Sequence, residues 1–229
     1  MKNYFKELTL LFAISFVFIV SCSNDETTTK NQIASRPTVP TTASEVRIGT
    51  QIWMTRNLNV SRYRNGDPIP QVQDPSAWAA LTTGAWCYYE NNTVNGTTYG
   101  KLYNWYAVND PRGLAPTGYH VPSDGEWTTL TTFLGGESVA GGKMKATTLW
   151  NSPNTGATNS SGFTGLPTGE RLYNGSFLDI GIYGRWWSSS ETNTSNSYIC
   201  FLSYNTDNAA STTFNNSKKE GLSVRCVKD

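Results

Sequence analysis

The chain contains a single histidine, three methionines and four cysteines, and charged side chains fill only 15% of its 229 positions. Each scarcity removes a class of function. With 18 Lys and Arg against 17 Asp and Glu, the formal charge is +1, so there is no basic face of the kind a nucleic-acid partner requires. One histidine means that any Ser-His-Asp triad would have to use His120, yet no G-x-S-x-G elbow is present and His120 sits beside Pro122 just ahead of a helix start. Its expected role is a structural hydrogen bond. One histidine and scattered cysteines also supply no zinc cluster. The glycine-rich stretch GGESVAGGKM, Gly135 to Met144, resembles a phosphate loop only superficially, because its first glycine is out of register and Met144 stands where a magnesium-binding hydroxyl belongs. No catalytic residue, metal ligand or cofactor site is therefore expected.

Long apolar runs are missing as well. The one oily stretch, Leu8 to Val20, falls short of the roughly 20 residues that a membrane-spanning helix needs. With Lys2 and Lys6 ahead of it, the stretch reads as a secretory signal over residues 1–21. Ser21 before Cys22, with Ile19 and Val20 upstream, resembles a lipobox, which makes Cys22 the expected lipidation site and the lipid the expected membrane contact. Asp25 and Glu26 resemble the export signal of surface-displayed bacterial lipoproteins. The expected address is thus the outer membrane, lipid-anchored and exposed on the cell surface. Removing 21 of 229 residues leaves 208, enough for one domain and a tether.

Residues 22–45 are rich in Thr and Ser with two prolines and no apolar period, so they read as a flexible tether. Folding is expected over 46–229. Val46, Ile48, Ile52 and Met54 mark two short strands around a Gly49-Thr50 turn. In GYHVPSDGEWTTLTTFLGG, Ser123 and Glu126 form a capping box that opens a helix from Asp124 to Leu134. Trp127, Leu130 and Leu134 share one face of it, and a second short helix is expected over Ser138 to Ala146. Short aromatic strands and glycine-rich turns follow, which makes the class α+β.

Five stretches together carry a resemblance: YGKLYNWYAVND (99–110), LAPTGYHVPSDGEW (114–127), GFTGLPTGER (162–171), RWWSSSE (185–191) and the terminal GLSVRCVKD (221–229). In their order and spacing they resemble the Fibrobacter succinogenes major paralogous domain of secreted and surface lipoproteins. That resemblance implies a C-type-lectin-like fold, also similar to the sulfatase-modifying domain, with short twisted antiparallel strands, one main helix and long irregular loops. It leaves the activity open. Tyr119 stands where the family usually has tryptophan, and Cys200 is extra to its pattern. Lectin-type calcium binding has only partial echoes, in Ser152 to Asn154 and Asn205 to Asp207, and Ser152 lacks the carboxylate that a hard cation needs. The late cysteines do not match the reactive pair of a formylglycine-generating oxidase.

With Cys22 acylated, three cysteines remain, so at most one internal bridge can form. The family resemblance implies Cys87 with Cys226; Cys200 with Cys226 is the rival. Among eight tryptophans, most are expected in the core. Trp186 and Trp187 are adjacent in a strand and point to opposite faces, so one of them is expected to be exposed or covered by a loop. Trp186 and Trp187, with Arg171 and Glu191 as rim contacts or a surface ion pair, form the candidate ligand-binding set. The function expected is a surface-anchored, non-catalytic binding or adhesion domain for a glycan or a surface protein. The alternatives are a structural subunit of a surface appendage or outer-membrane complex, and an enzyme whose perturbed acid or base is not evident in the sequence.

Overall fold

A computed structural model of the chain describes residues 44–212 and 216–229. The expected signal 1–21, the lipidation site Cys22 and the tether up to residue 43 lie outside the described residues. The architecture is mixed α/β, built from several small antiparallel sheets and a few short helices. Strands β1 (Glu45–Ile48) and β2 (Gln51–Met54) pair across the Gly49-Thr50 turn, with Ile48 opposite Gln51. The sheet continues through β11 (Val227–Lys228) to β5 (Tyr119–His120), so the last strand lies between two early ones. A second sheet holds β8 (Tyr183–Glu191), β9 (Ser197–Ser203) and β10 (Ala209–Thr212) in the order β10-β9-β8. Two ribbons complete the set: β3 (Trp86–Cys87) with β4 (Leu102–Tyr103), and β6 (Thr168–Arg171) with β7 (Phe177–Ile180).

These small sheets are sewn together by the segment leading into β11. Gly221 bridges Arg171, Leu222 bridges Tyr103 and Ser223 bridges Trp186. The Leu58 amide then donates to Val224 O at 2.8 Å and the Met54 amide to Cys226 O at 3.0 Å. Every residue from Gly221 to Val227 is buried. Successive residues thus satisfy backbone groups that the short strands would otherwise leave unpaired in the interior.

The helices are α1 (Pro75–Ala79), α2 (Thr93–Tyr99), α3 (Trp105–Val108), α4 (Asp124–Phe133) and α5 (Glu137–Met144). In α4 the capping box is formed as the sequence indicates: Ser123 Oγ accepts from the Glu126 amide, and the Glu126 carboxylate accepts from the Ser123 amide at 2.8 Å. Trp127, Leu130 and Leu134 are buried, and the Trp127 ring lies 4.7 Å from that of Trp53 and 5.9 Å from that of Phe163. The helix expected over 138–146 runs instead from Glu137 to Met144, because the Lys145 backbone turns extended. Tyr119 keeps its ring buried and hydrogen-bonds Glu45.

The expected disulfide between Cys87 and Cys226 is not formed. Cys87, Cys200 and Cys226 are all free and buried, and they belong to three separate apolar clusters. Each behaves as a small hydrophobe. Burial pushes the thiols of Cys87 and Cys226 up to about 12, which keeps them protonated and inert.

The α4 face makes a test. Trp127→Ala is expected to lower the unfolding free energy by about 3–5 kcal/mol, as for other buried aromatics. Denaturant titration checks this; a loss under about 1 kcal/mol would place the ring outside the core.

Candidate functional site

Of the residues proposed as ligand contacts, three are sealed inside. Trp186 and Trp187 do point to opposite faces of β8, but both are fully buried. Trp186 packs in the cluster around Trp53, Trp127 and Phe163, while Trp187 packs in the cluster with Tyr103, Leu222 and Val224. Their indole nitrogens donate to Asn57 Oδ1 at 2.8 Å and to Tyr103 O at 2.7 Å. Neither ring face is open to a sugar. Arg171 is not a rim residue either: its guanidinium donates to the carbonyls of Gly175, Val72 and Gln73 at 3.0, 2.6 and 2.8 Å, between the rings of Trp78 and Phe177. Glu191 alone remains at the surface, and it pairs with Lys218 at 2.6 Å rather than with Arg171.

An open concave surface lies elsewhere. A groove of about 430 Å³ runs between Thr55–Asn59, the C-terminal half of α2 with Gly100, and the loop at Thr164 and Leu166. Its polar lining is hydroxyl, amide and guanidinium, from Thr55, Arg56, Asn57, Asn59, Thr97, Thr98, Tyr99 and Thr164, and Leu166 adds an apolar side chain. No acidic residue lines it. Close approach of α2 makes the wall possible. A Cβ at Gly96 would fall 2.2 Å from the Tyr88 ring, and Gly100 takes φ +82° with Leu58 O 3.0 Å from the place of its missing Cβ. Only glycine fits both places.

Asn57 fixes the floor. Its Oδ1 accepts from Trp186 Nε1 at 2.8 Å and from Arg225 Nη2 at 2.8 Å, while its Nδ2 donates to Tyr99 O at 2.9 Å. Arg225 is fully buried, with Nη1 donating to Met54 O and Phe163 O, Nη2 also to Thr164 O, and its plane 4.3 Å from the Phe163 ring. None of its acceptors is charged. Burial accordingly pulls Arg225 down to about 9. Beside the groove, Lys101 Nζ bonds Asn59 O and Oδ1 at 2.9 and 2.7 Å and lies 4.4 Å from the Trp86 ring. It too has uncharged acceptors, and burial lowers its pKa.

A family model described as the Fibrobacter succinogenes major domain matches residues 46–228. The chain belongs to this family. No curated protein and no solved structure matches the chain.

Two further clusters in this Fibrobacter succinogenes major domain involve titratable groups. His120 is held between carboxylates, with Nδ1 2.8 Å from Asp229 Oδ1 and Nε2 2.7 Å from Glu126 Oε1. Burial disfavours its charge, but the bonds to Asp229 and Glu126 outweigh that and raise its pKa. The imidazole ties the chain end to the cap of α4. The partial calcium-loop echoes are brought together, since the Thr155 amide donates to Tyr204 O at 2.8 Å. Between those loops sits an ammonium: Lys145 Nζ donates to the carbonyls of Thr155, Ser203 and Thr206 at 2.7, 2.9 and 2.7 Å. Among the described residues, no group of three or more His, Cys, Asp and Glu is arranged to hold a metal.

The sequence offered no perturbed acid; the fold supplies one. Glu220 and Glu170 are both buried. Arg185 pairs with Glu170 and lies 3.6 Å from Asp179, over the rings of Tyr183 and Phe201. Burial, and then the nearby Glu170 charge, push Glu220 up to about 8. Fifty residues separate the two carboxyls in sequence, and the Arg171–Gly221 bridge lies next to both.

The raised acid dictates a pH dependence. A carboxyl whose folded pKa exceeds its unfolded value keeps its proton in the fold, so its stabilising contribution is full below about 4.5 and is lost as pH climbs through about 8. Glu220→Gln is expected to remove about 3 kcal/mol of the fall in stability between pH 5 and pH 8. Unfolding titrations of both proteins at the two pH values check this, and equal slopes would show that Glu220 titrates as an ordinary carboxyl. His120 contributes a fall of the same sign in both proteins and cancels from the comparison.

Proposed function

We propose that this protein is a non-catalytic binding and adhesion module, displayed on the outer membrane by a lipidated Cys22, whose ligand is a glycan held in the Asn57 groove. The observation that carries the reading is the groove's composition and size. About 430 Å³ of open space lined by amides, hydroxyls and one guanidinium together with Leu166 suits a sugar, which presents hydroxyls beside apolar ring faces, and its volume falls within the range of small-ligand sites. The floor is preorganised by the bonds that Asn57 makes to Trp186, Arg225 and Tyr99, which lowers the ordering cost of binding.

The same groove holds no carboxylate, imidazole or thiol to act as acid, base or nucleophile. The perturbed acid Glu220 is buried with Glu170 and is not among the residues lining the groove, which supports binding over turnover. We also read the fold as C-type-lectin-like, on the ground that β1 and β11 share one sheet while a long stretch without strands or helices, residues 145–167, separates α5 from β6. A surface protein as ligand, or a structural place in a surface assembly, is the competing reading.

Two measurements bear on this. Thr98 is exposed at the groove, so Thr98→Trp is expected to fill the space without unfolding the domain. On a glycan array the purified chain should bind, and Thr98→Trp should abolish that binding; no binding to any glycan would sink the reading. Mass spectrometry of the N-terminal peptide is expected to find Cys22 acylated, and an unmodified N-terminus further along the chain contradicts the lipid anchor.

A further inference from the structure

The groove is electrostatically one-sided. No acidic side chain lines it, while three cations stand in or directly behind its wall. Arg56 is exposed at the groove. Arg225 is fully buried behind Asn57 and Thr164, both of them lining residues, and all its acceptors are neutral oxygens. Lys101 is 5% exposed and reaches the groove through Asn59, again with only neutral acceptors. A buried cation without a counter-charge is an unusual arrangement, because desolvation is normally offset by a carboxylate. Elsewhere Arg171 and Lys145 are likewise served by carbonyls alone, whereas Arg185 faces Glu170 and Asp179 and Lys218 faces Glu191; what sets Arg225 and Lys101 apart is that they bond residues lining the groove, Asn57, Thr164 and Asn59. Around the groove the matching negative charge is missing from the protein itself.

We infer that the groove selects an anionic sugar, a glycan bearing carboxylate or sulfate groups, with Arg56 in direct contact with the anion and Arg225 and Lys101 supplying the field behind it. This rests on the reading of the groove as a glycan site. Carboxylate and sulfate share the chemistry that the site recognises, namely oxygen acceptors in a plane or fork that a guanidinium meets with two parallel hydrogen bonds. The hydroxyl and amide lining, rather than the charge, is what distinguishes a sugar anion from an acidic peptide. Because Arg56 is solvent-exposed, its share of the attraction is screened by salt, whereas the buried pair is screened less.

The test uses the purified full chain and four soluble polymers: polygalacturonate, its fully methyl-esterified form, dextran sulfate and polyglutamate. The expected result is binding of polygalacturonate or dextran sulfate that weakens with salt, falls roughly tenfold on methyl esterification and falls by about the same factor in Arg56→Glu. Which of the two polymers binds tells carboxylate from sulfate. Thr98→Trp should abolish binding of either. Arg56 and Thr98 are both exposed, and thermal unfolding confirms that the variants remain folded. Measurable binding of the esterified polymer as tight as that of the charged polymer that binds, or an Arg56→Glu variant with unchanged affinity, overturns the anion selection while leaving the glycan site intact. Polyglutamate bound as tightly as polygalacturonate overturns the sugar. Failure to bind any glycan, here and on the array, overturns the underlying reading as well.

Discussion

The structure depends on one buried guanidinium. Arg225 lies within the sealed segment Gly221–Val227 and donates to Met54, Phe163, Thr164 and Asn57, which belong to parts of the chain far apart in sequence. Its plane covers Phe163, and Phe163 in turn packs edge-on against Trp53, Trp127 and Trp186. A lysine here would not substitute, because a point charge cannot serve four acceptors spread around a planar fork. Removing the side chain would take a donor from the buried Met54 and Phe163 carbonyls, each at a cost of about 1–3 kcal/mol. Phe163 belongs to one large apolar cluster and Val224 and Cys226 to another, so this node and the terminal segment around it join the two.

The same device recurs. Arg171 serves three carbonyls between two aromatic rings, Lys145 serves three carbonyls beside Trp150, and Lys101 serves Asn59 above Trp86 and Tyr88. The cause is the shortness of the regular elements. Two- to four-residue strands and long connections leave many interior carbonyls outside any ladder, and each must still find a donor. A multi-donor cation answers several at once, and a ring face compensates part of its desolvation. Burial still tells on the ionisation, holding Lys145 down to about 8. A chain with few charged residues thus uses several of them as internal fastenings.

This explains which parts of the structure the sequence revealed. Local signals were legible: Ser123 and Glu126 announced the start of α4, and the spacing of Trp127, Leu130 and Leu134 announced its buried face. Alternation correctly sent Trp186 and Trp187 to opposite sides of β8. What alternation could not show is that both sides are covered, because the cover over Trp187 comes from Leu222 and Val224, joined to β4 and the Leu58 loop by pairings that no local pattern encodes. Arg171 looked like a rim residue for the same reason; a strand-end arginine in a polar sequence normally faces water. The groove was missed because its walls, near residues 57, 98 and 164, are each unremarkable polar stretches until the fold sets them side by side. The family-based pairing of Cys87 with Cys226 fails because the two thiols lie in different apolar clusters.

Asn57 connects this scaffold to the candidate site. All of its polar capacity is turned inward or along the wall, to Trp186, Arg225, Tyr99 and Ser223, so it positions the groove more than it reads a ligand. The Lys101 amide bonds Leu58 O at 3.3 Å, which holds the two walls at a fixed separation. Arg56, Asn59, Thr97 and Thr98, by contrast, are exposed, and none of the four has its side chain in the packed core. Substitution at Arg56, Thr97 or Thr98 costs little stability, yet it changes polar groups that a ligand would meet, whereas Asn59 is also tied to the buried Lys101 ammonium. A fold fastened from behind in this way separates the residues that hold the groove from the residues that would give a binding site there its specificity, and ligand choice would then be free to vary on an unchanged frame.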